Sequence, residues 1–324
     1  MDTRMNVFGK VLLAAAVVFS AAAYAQDYPT KPIKIIVPNP PGGGPDVIAR
    51  IFAERFQEKW NQPVIVENRA GSGGNIGAEV GFRAAPDGYT LVFTPHPALV
   101  INKSLYTKLN FDPDAFVPIS VAVGIPVVMV VNPKVDAQNL QQFIALAKAN
   151  PDKLNYGSGG SGGTPHIAGE YFKAKTGVKM VHVPYKGNAP AVVDLLSGQV
   201  DMMMLDLGPV LQYIRSGKLR ALGVTADKRN PALPDVPAMS EVLPGFVVTA
   251  WFGMVAPPKT PAAIANKISA AMAEILKQPD VVKRLLDMGN VEPIGTTPEQ
   301  MAQFMRSERQ IWGKLIRDIG AKAD

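Results

Sequence analysis

The sequence predicts an α/β protein built as two lobes, and three observations support this. Short apolar runs alternate with segments of helical periodicity between residues 33 and 225, which is typical of sheets covered by helices. The length of 324 residues is enough for about two domains. The composition, 47% hydrophobic and 19% charged, allows a buried core and excludes a disordered chain.

The first part of the chain alternates strands and helices in the order βαβαβ. Strands are predicted at residues 33–37, 64–67 and 90–94, with helices at 45–60 and 76–84 between them. Pro45 suits the first position of its helix, and Asp46 suits the first turn. Strands joined by helices in this order indicate a parallel sheet with both faces covered.

The later part of the chain repeats this alternation. An apolar run at 121–131 is predicted to be one strand that leaves the first lobe, and further strands are predicted at 154–156, 180–183, 200–205 and 219–225. Helices are predicted at 140–149, 165–176, 189–196, 210–215, 261–277, 279–288 and 298–319. Thr164 is the predicted N-cap of the helix that Gly177 ends. No internal sequence repeat is convincing.

These elements predict a first lobe at 26–124 plus 226–324 and a second lobe at 125–225. Each lobe is expected to be a mostly parallel sheet flanked by helices. The chain crosses between the lobes near 121–126 and 222–228, and two such crossings form a hinge.

The N-terminus has the pattern of an export signal. Arg4 and Lys10 precede an apolar run at 11–23, and the sequence Ala-Tyr-Ala at 23–25 suits cleavage after Ala25. The run is too short to cross a bilayer of roughly 30 Å as a helix. We therefore expect residues 1–25 to be a signal peptide and the protein to be periplasmic, with an uncleaved membrane anchor as the alternative.

Composition and spacing exclude several functions. The chain has no cysteine, and its net charge of +6 is spread over 33 basic and 27 acidic residues, so we expect neither thiol chemistry nor a nucleic-acid partner. The glycines at 157–162 fit a dinucleotide fingerprint but lack the acidic residue that should follow. His166 and Glu170 are four residues apart on one predicted helix and could share a metal, but without a third ligand they are more typical of a pair on a helix surface. No cofactor and no metal is expected.

An enzyme remains as an alternative with little support. Gly159, Ser161 and Gly163 match the elbow motif of serine hydrolases, and Glu170 and His182 follow in the required order. They span a single helix and strand, which is too short for that architecture. We therefore expect no catalytic residues, with a secreted hydrolase that uses Ser161 kept as the alternative.

Two glycine-rich loops indicate an anion-binding protein instead. The loops at 41–44 and 157–163 each lead from the end of a strand into a helix N-terminus, where unpaired N–H groups and the helix dipole favour an anion. With one loop in each lobe, both would face the cleft. Neither loop contains Arg or Lys, so a carboxylate fits better than a polyphosphate. The competing interpretation is a pair of tight turns.

Several motifs along the chain are similar to those of one family. They lie at residues 36–46, 67–77, 86–91, 157–166, 183–187 and 194–201. In this order they resemble the Bug-type solute-binding proteins of tripartite tricarboxylate transporters across essentially the whole mature chain. The resemblance implies a type II periplasmic-binding-protein fold, a small carboxylate ligand, and delivery to the large and small subunits of a membrane permease. We expect a monomer, and a two-component sensor kinase is the alternative partner.

The resemblance also implies where the ligand lies. In that family the first loop and the glycine loop of the second lobe hold the proximal carboxylate, partly through ordered water, and the strand end at Asp206 lies near the distal part. The predicted ligand-binding residues are Asn39, Pro41, Gly42, Gly43, Gly44, Asp46, Thr94, His96, Ser158, Gly159, Gly160, Ser161, Gly162, Thr164, His166, Asp206 and Leu207. The family often has an aromatic residue at the position of Asn39, a threonine at Pro45 and an amide at Leu207. We expect general carboxylate capture to survive these differences, whereas the resemblance leaves the identity of the solute's distal group open.

Overall fold

The computed structural model describes residues 28–248, 250–289 and 291–323. The predicted signal peptide and its cleavage site lie outside these residues. Within the part of the chain that is described, no helix combines the length and apolar character that crossing a membrane requires.

The first sheet contains strands from both ends of the chain. Its strands are β1 (Ile33–Val37), β2 (Val64–Asn68), β3 (Thr90–Pro95), β4 (Val117–Ile125), β10 (Ala250–Ala256) and β11 (Glu292–Pro293), in the spatial order β11-β4-β10-β3-β1-β2. Strand β1 is parallel to β2 and β3, whereas β10 is antiparallel to β3 and β4. The helices on this sheet are α1 (Gly44–Trp60), α2 (Asn75–Phe82), α8 (Ala262–Ile275), α9 (Pro279–Asp287) and α10 (Pro298–Ile319), and a short helix α3 (Asn102–Leu105) follows a π-helical turn at Pro97–Ile101.

The second sheet comes from the middle of the chain. Its strands are β5 (Val127–Val131), β6 (Asn155–Ser158), β7 (Val181–Pro184), β8 (Met202–Asp206) and β9 (Arg220–Val224), in the order β7-β6-β8-β5-β9. Strand β6 is parallel to β7 and β8, and β5 is antiparallel to β8 and β9. The helices are α4 (Leu140–Ala149), α5 (Thr164–Thr176), α6 (Asn188–Ser197) and α7 (Leu207–Arg215).

The two sheets share one arrangement, although their sequences show no convincing repeat. In each sheet, one strand is parallel to both of its neighbours: β1 in the first sheet and β6 in the second. The next strand but one, β10 in the first sheet and β5 in the second, is antiparallel to the strand that lies between. The predicted α/β two-lobe fold is confirmed, and each sheet is mixed rather than mostly parallel. The common arrangement places the C-terminal ends of β1 and β6 at equivalent positions.

The first glycine loop lies between strand β1 and helix α1, and both elements are fixed by buried apolar residues. Helix α1 buries Ile48, Ile51, Phe52 and Phe56 along one face, as helical spacing requires, and ends at Asn61 in the left-handed conformation. Strand β1 is almost completely buried between the helices on its two faces. The loop between β1 and α1 is therefore anchored at both ends by the core.

One expectation about the strands was wrong, and one strand was missed. The run at 121–131 is two strands in different sheets, because Pro126 lacks the N–H that a continuous strand would need. Strand β10 was not predicted, although all seven of its residues are buried. It returns the chain to the first sheet after residues 226–248, which lie beside the second sheet through pairing of Val224 with Ala238. The lobe boundaries at 124–125 and 225–226 stay a prediction.

Candidate functional site

The first glycine loop is folded back on the side chain of Asp46. Gly42 has a φ of 79° and donates its N–H to Asp46 Oδ2 over 2.9 Å. Arg50 and Asn68 also bond to this carboxylate, at 2.9 Å and 3.0 Å. Burial raises the pKa of Asp46, but the hydrogen bonds from Arg50, Gly42 and Asn68 outweigh it and hold the pKa below its usual value. Asp46 is thus ionised and fixes the shape of the loop.

The second glycine loop is folded back on His166 in the same way. Gly162 has a φ of 87° and donates its N–H to His166 Nδ1 over 3.1 Å. His166 is buried, and burial lowers its pKa, with Lys173 adding to the effect and Glu170 opposing it. The imidazole is therefore neutral near pH 7, which leaves a lone pair on Nδ1 for this bond.

The two loops have the same backbone geometry up to the helix that follows. Gly43 has φ −77° and ψ 166°, and Gly163 has φ −73° and ψ 164°. The first helical bonds match as well: Val47 N to Gly43 O is 3.0 Å, and Ile167 N to Gly163 O is 3.1 Å. Each loop thus presents the unpaired N–H groups of a helix N-terminus in one geometry. Gly163, and not the predicted Thr164, is the cap residue, and Thr164 is the first residue of the helix.

The two lobes contact each other next to the glycine loops. Tyr106 from the first lobe donates its hydroxyl to the Ser161 carbonyl oxygen over 2.9 Å. A Cβ built on Gly162 would lie 2.9 Å from the Tyr106 ring, and one built on Gly187 would lie 3.4 Å from Pro40. The lobes are therefore in contact on both sides of the two loops, through Tyr106 with the second loop and through Pro40 with Gly187.

Asp206 and Phe252 border the same space. A Cβ on Gly44 would lie 3.5 Å from the Phe252 ring and 3.9 Å from Asp206 Oδ2. The Asp206 carboxylate has no hydrogen-bond partner among the residues described, and burial raises its pKa to about 6. It is thus an acceptor beside the first glycine loop, and no described residue donates to it. Neither Tyr106 nor Phe252 was predicted as a site residue, since no local pattern marks either.

Other predicted residues support the loops from behind. The Asn39 carbonyl accepts from Asn68, while its side-chain Oδ1 is buried without a partner among the described residues. Ser158 Oγ lies 2.7 Å from His182 Nε2 and 3.1 Å from the Gly160 carbonyl. Gly159 packs against Asn188, and Pro41 is exposed at the tip of the first loop.

Three predicted residues lie in the interior. His96 is fully buried between Trp251 and Trp312, with ring centroids 5.7 and 5.8 Å away, and burial lowers its pKa to about 3. The buried Thr94 hydroxyl donates to the Pro95 carbonyl. Leu207 packs its side chain in the core of the second lobe. Their roles as ligand contacts stay predictions.

The serine hydrolase arrangement does not form. The serine that contacts His182 is Ser158, and not Ser161. Glu170 accepts hydrogen bonds from the Tyr156 hydroxyl and from Lys173, so it does not orient a histidine as a catalytic acid would. Ser161 contributes its backbone carbonyl to the contact with Tyr106.

Comparison with known proteins decides the family. The family model for the tripartite tricarboxylate transporter family receptor matches residues 48–321. The chain belongs to this receptor family. BugT of Bordetella pertussis is 38% identical over 325 residues, which cover 99% of each chain. The Bug-type resemblance is therefore confirmed, and the receptors of this family are solute-binding proteins rather than enzymes.

Solved structures of similar receptors share the fold. The periplasmic binding protein BugD is 33% identical, with a TM-score of 0.85 over 91% of this chain and 99% of BugD. Rpa4515 of R. palustris, solved with adipate, is 32% identical, with a TM-score of 0.86 over 90% of this chain and 98% of its own. MatC from Rhodopseudomonas palustris, solved with malate, is 31% identical, with a TM-score of 0.84 over 89% and 100%. Both bound molecules are carboxylates.

Proposed function

We propose that this protein is a periplasmic receptor that holds a small carboxylate between its two glycine loops and delivers it to the permease of a tripartite transporter. The observation that supports this most is the pairing of two loops with the same geometry, one from each lobe. Each is followed by a helix of at least 13 residues, α1 or α5, whose first N–H groups have no intrahelical partner. A carboxylate between them would accept from both.

The distal end of the solute then lies toward Asp206. At pH 7 this carboxylate is mainly ionised, since its pKa is about 6, and it has no donor among the described residues. An anionic group of the solute would be repelled there, whereas a hydroxyl or amino group would satisfy it. We therefore place a hydrogen-bond donor of the solute beside Asp206. Phe252 supplies an apolar wall next to Gly44.

Binding is proposed to close the lobes, which are joined by the chain segments around Pro126 and residues 225–248. The Tyr106–Ser161 bond forms only when the two lobes are together. The solute is thus enclosed before the receptor meets the permease, as hinge closure allows.

Thermal unfolding and calorimetry test the function. A ligand at a hundredfold excess over Kd stabilises the native state by about 2.7 kcal/mol. We expect a clear rise in Tm with at least one compound among malate, succinate, adipate, citrate, lactate, benzoate, glutamate and aspartate, and none with glucose or maltose. A rise with the sugars alone would contradict an anion receptor.

A further inference from the structure

The two glycine loops differ in the group on which each is folded. Asp46 and His166 occupy the same place, three residues after the equivalent cap residues Gly43 and Gly163. Each accepts the N–H of a left-handed glycine four residues earlier. The acceptor is a carboxylate oxygen in the first lobe and an imidazole nitrogen in the second. The geometry is conserved between the lobes, and the chemistry of the acceptor is not.

His166 lies in a stack of rings under its loop. Its ring is 4.3 Å from the ring of His182 on β7, and His182 is 4.8 Å from the ring of Tyr156 on β6. On its own helix the charged neighbours are Glu170, which accepts from Tyr156, and Lys173, which bonds to Glu170 over 2.8 Å. Burial lowers the pKa of His182 to about 4 and also lowers that of His166. A second proton on either ring is therefore unfavourable, and His166 Nδ1 keeps the lone pair that accepts the Gly162 N–H.

Protonation would change what His166 does. The Gly162 N–H needs the lone pair of Nδ1, and a second proton on the ring occupies that lone pair. Two N–H donors would then face each other, the bond would be lost, and Gly162 would no longer be held. The first loop has no such sensitivity, because Asp46 stays an ionised acceptor until the pH falls below its already lowered pKa.

We propose that His166 is a positioning residue that makes carboxylate capture depend on pH, because the second loop keeps its binding geometry only while this imidazole is neutral. The inference rests on the proposed receptor function. The first loop keeps its shape across the same pH range. Acid therefore disturbs the binding geometry of the second loop and leaves that of the first loop unchanged. Solute would accordingly be held at neutral pH and released more readily in acid.

The ligand-free test uses NMR of the purified protein, which has only three histidines. In the wild type we expect His166 to carry its proton on Nε2, and the Gly162 amide shift to change with the protonation of His166. In His166→Asn, whose side-chain oxygen can replace Nδ1 as acceptor, the Gly162 amide should not respond to pH. A proton on Nδ1 at neutral pH, or a Gly162 amide that responds equally in both proteins, would overturn the inference.

The binding test uses malate and adipate as probes, by calorimetry at about pH 8 and about pH 5.5. Protonation of the probe weakens binding equally in all variants, so the comparison with His166→Asn isolates the protein. We expect the wild type to lose severalfold more affinity than His166→Asn on acidification, and less than about tenfold because the pKa of His166 is lowered. His166→Leu should bind about tenfold more weakly than the wild type at pH 8.

The outcomes separate the two proposals. Parallel loss of affinity in the wild type and His166→Asn would refute the role of His166 and leave the receptor function standing. If neither probe binds, the acid of the thermal-unfolding panel that raises Tm replaces them. Absence of binding to every acid of that panel by the wild type at pH 8 would count against the proposed function, and the claim about capture would fail with it. If His166→Leu does not fold, the wild type and His166→Asn decide the question alone.

Discussion

Tyr106 of the first lobe donates its hydroxyl to the carbonyl of Ser161 in the second, over 2.9 Å. Ser161 is a residue of the second glycine loop, so this bond joins the lobes at the proposed site. Gly73 lies at the same point, where a Cβ would be 2.6 Å from the Tyr106 hydroxyl and 2.9 Å from the Ser161 carbonyl. We expect this bond to stabilise the closed form, and we call it the latch.

Removal of this latch should speed release of the solute. Tyr106→Phe loses one hydrogen bond worth about 1 kcal/mol, so we expect dissociation of a bound carboxylate to become about fivefold faster, with little change in folding. Stopped-flow measurement of dissociation tests this. Tyr185→Phe is the matched control, because its hydroxyl bonds to Asp194 within the second lobe at 2.7 Å. Equal rates for wild type and Tyr106→Phe would refute the latch.

A side chain at Gly162 should weaken solute binding by more than its effect on the stability of the protein explains. Gly162→Ala must adopt a left-handed φ and place its Cβ 2.9 Å from the Tyr106 ring. Gly177 also has a positive φ, 73°, but has open space around it, so Gly177→Ala carries the same backbone cost of about 1 kcal/mol without the contact. We expect similar Tm values and at least a tenfold loss of affinity in Gly162→Ala alone. Equal affinities in the two variants would remove this loop from the site.

Asp206 should make the empty protein less stable at neutral pH than in acid. Its pKa rises from 3.8 to about 6 on folding, so the ionised form costs stability above pH 6, and the cost disappears as the pH falls towards 3.8. Asp206→Asn should raise the free energy of unfolding by about 1–3 kcal/mol at pH 8 and by much less near pH 4. Urea denaturation at both pH values measures this. A gain of equal size at pH 4 would show that the carboxylate does not carry the effect.

The same residue should select the solute. Malate carries a hydroxyl that succinate lacks, and the Asp206 carboxylate is an unpaired acceptor. We expect the wild type to favour malate over succinate by about tenfold, and Asp206→Asn to reduce this preference. Competition calorimetry compares the two acids. A preference that is the same in both proteins would place the donor elsewhere.

The sequence pattern predicted most of the strands and helices that position the candidate site. Apolar runs between glycine or proline turns located β1 and β8, and the two glycine loops followed from helix-start signals at Pro45 and Pro165. These are local features, set by a few neighbouring residues. Local pattern was sufficient where burial on both faces makes a strand continuously apolar.

The remaining features depend on residues far apart in the chain. Strand β10 was missed because a short apolar run that contains Gly253 does not distinguish a central strand from other buried segments. The role of Tyr106 could not be predicted, because its hydroxyl reaches the Ser161 carbonyl only when the two lobes are in contact. The equivalence of Asp46 and His166 was hidden because an acid and an imidazole share only the ability to accept one N–H.

The central claim is that a carboxylate binds between the two glycine loops, and glycine-selective ¹⁵N NMR tests it most directly. On titration with malate, adipate and the other acids of the panel, the amides of Gly44 and Gly163 should shift together and saturate with at least one acid. The amides of Gly177 and Gly217, which have open space around them, should not move. Saturable shifts confined to glycines outside the loops, or none with any acid of the panel, would contradict the account.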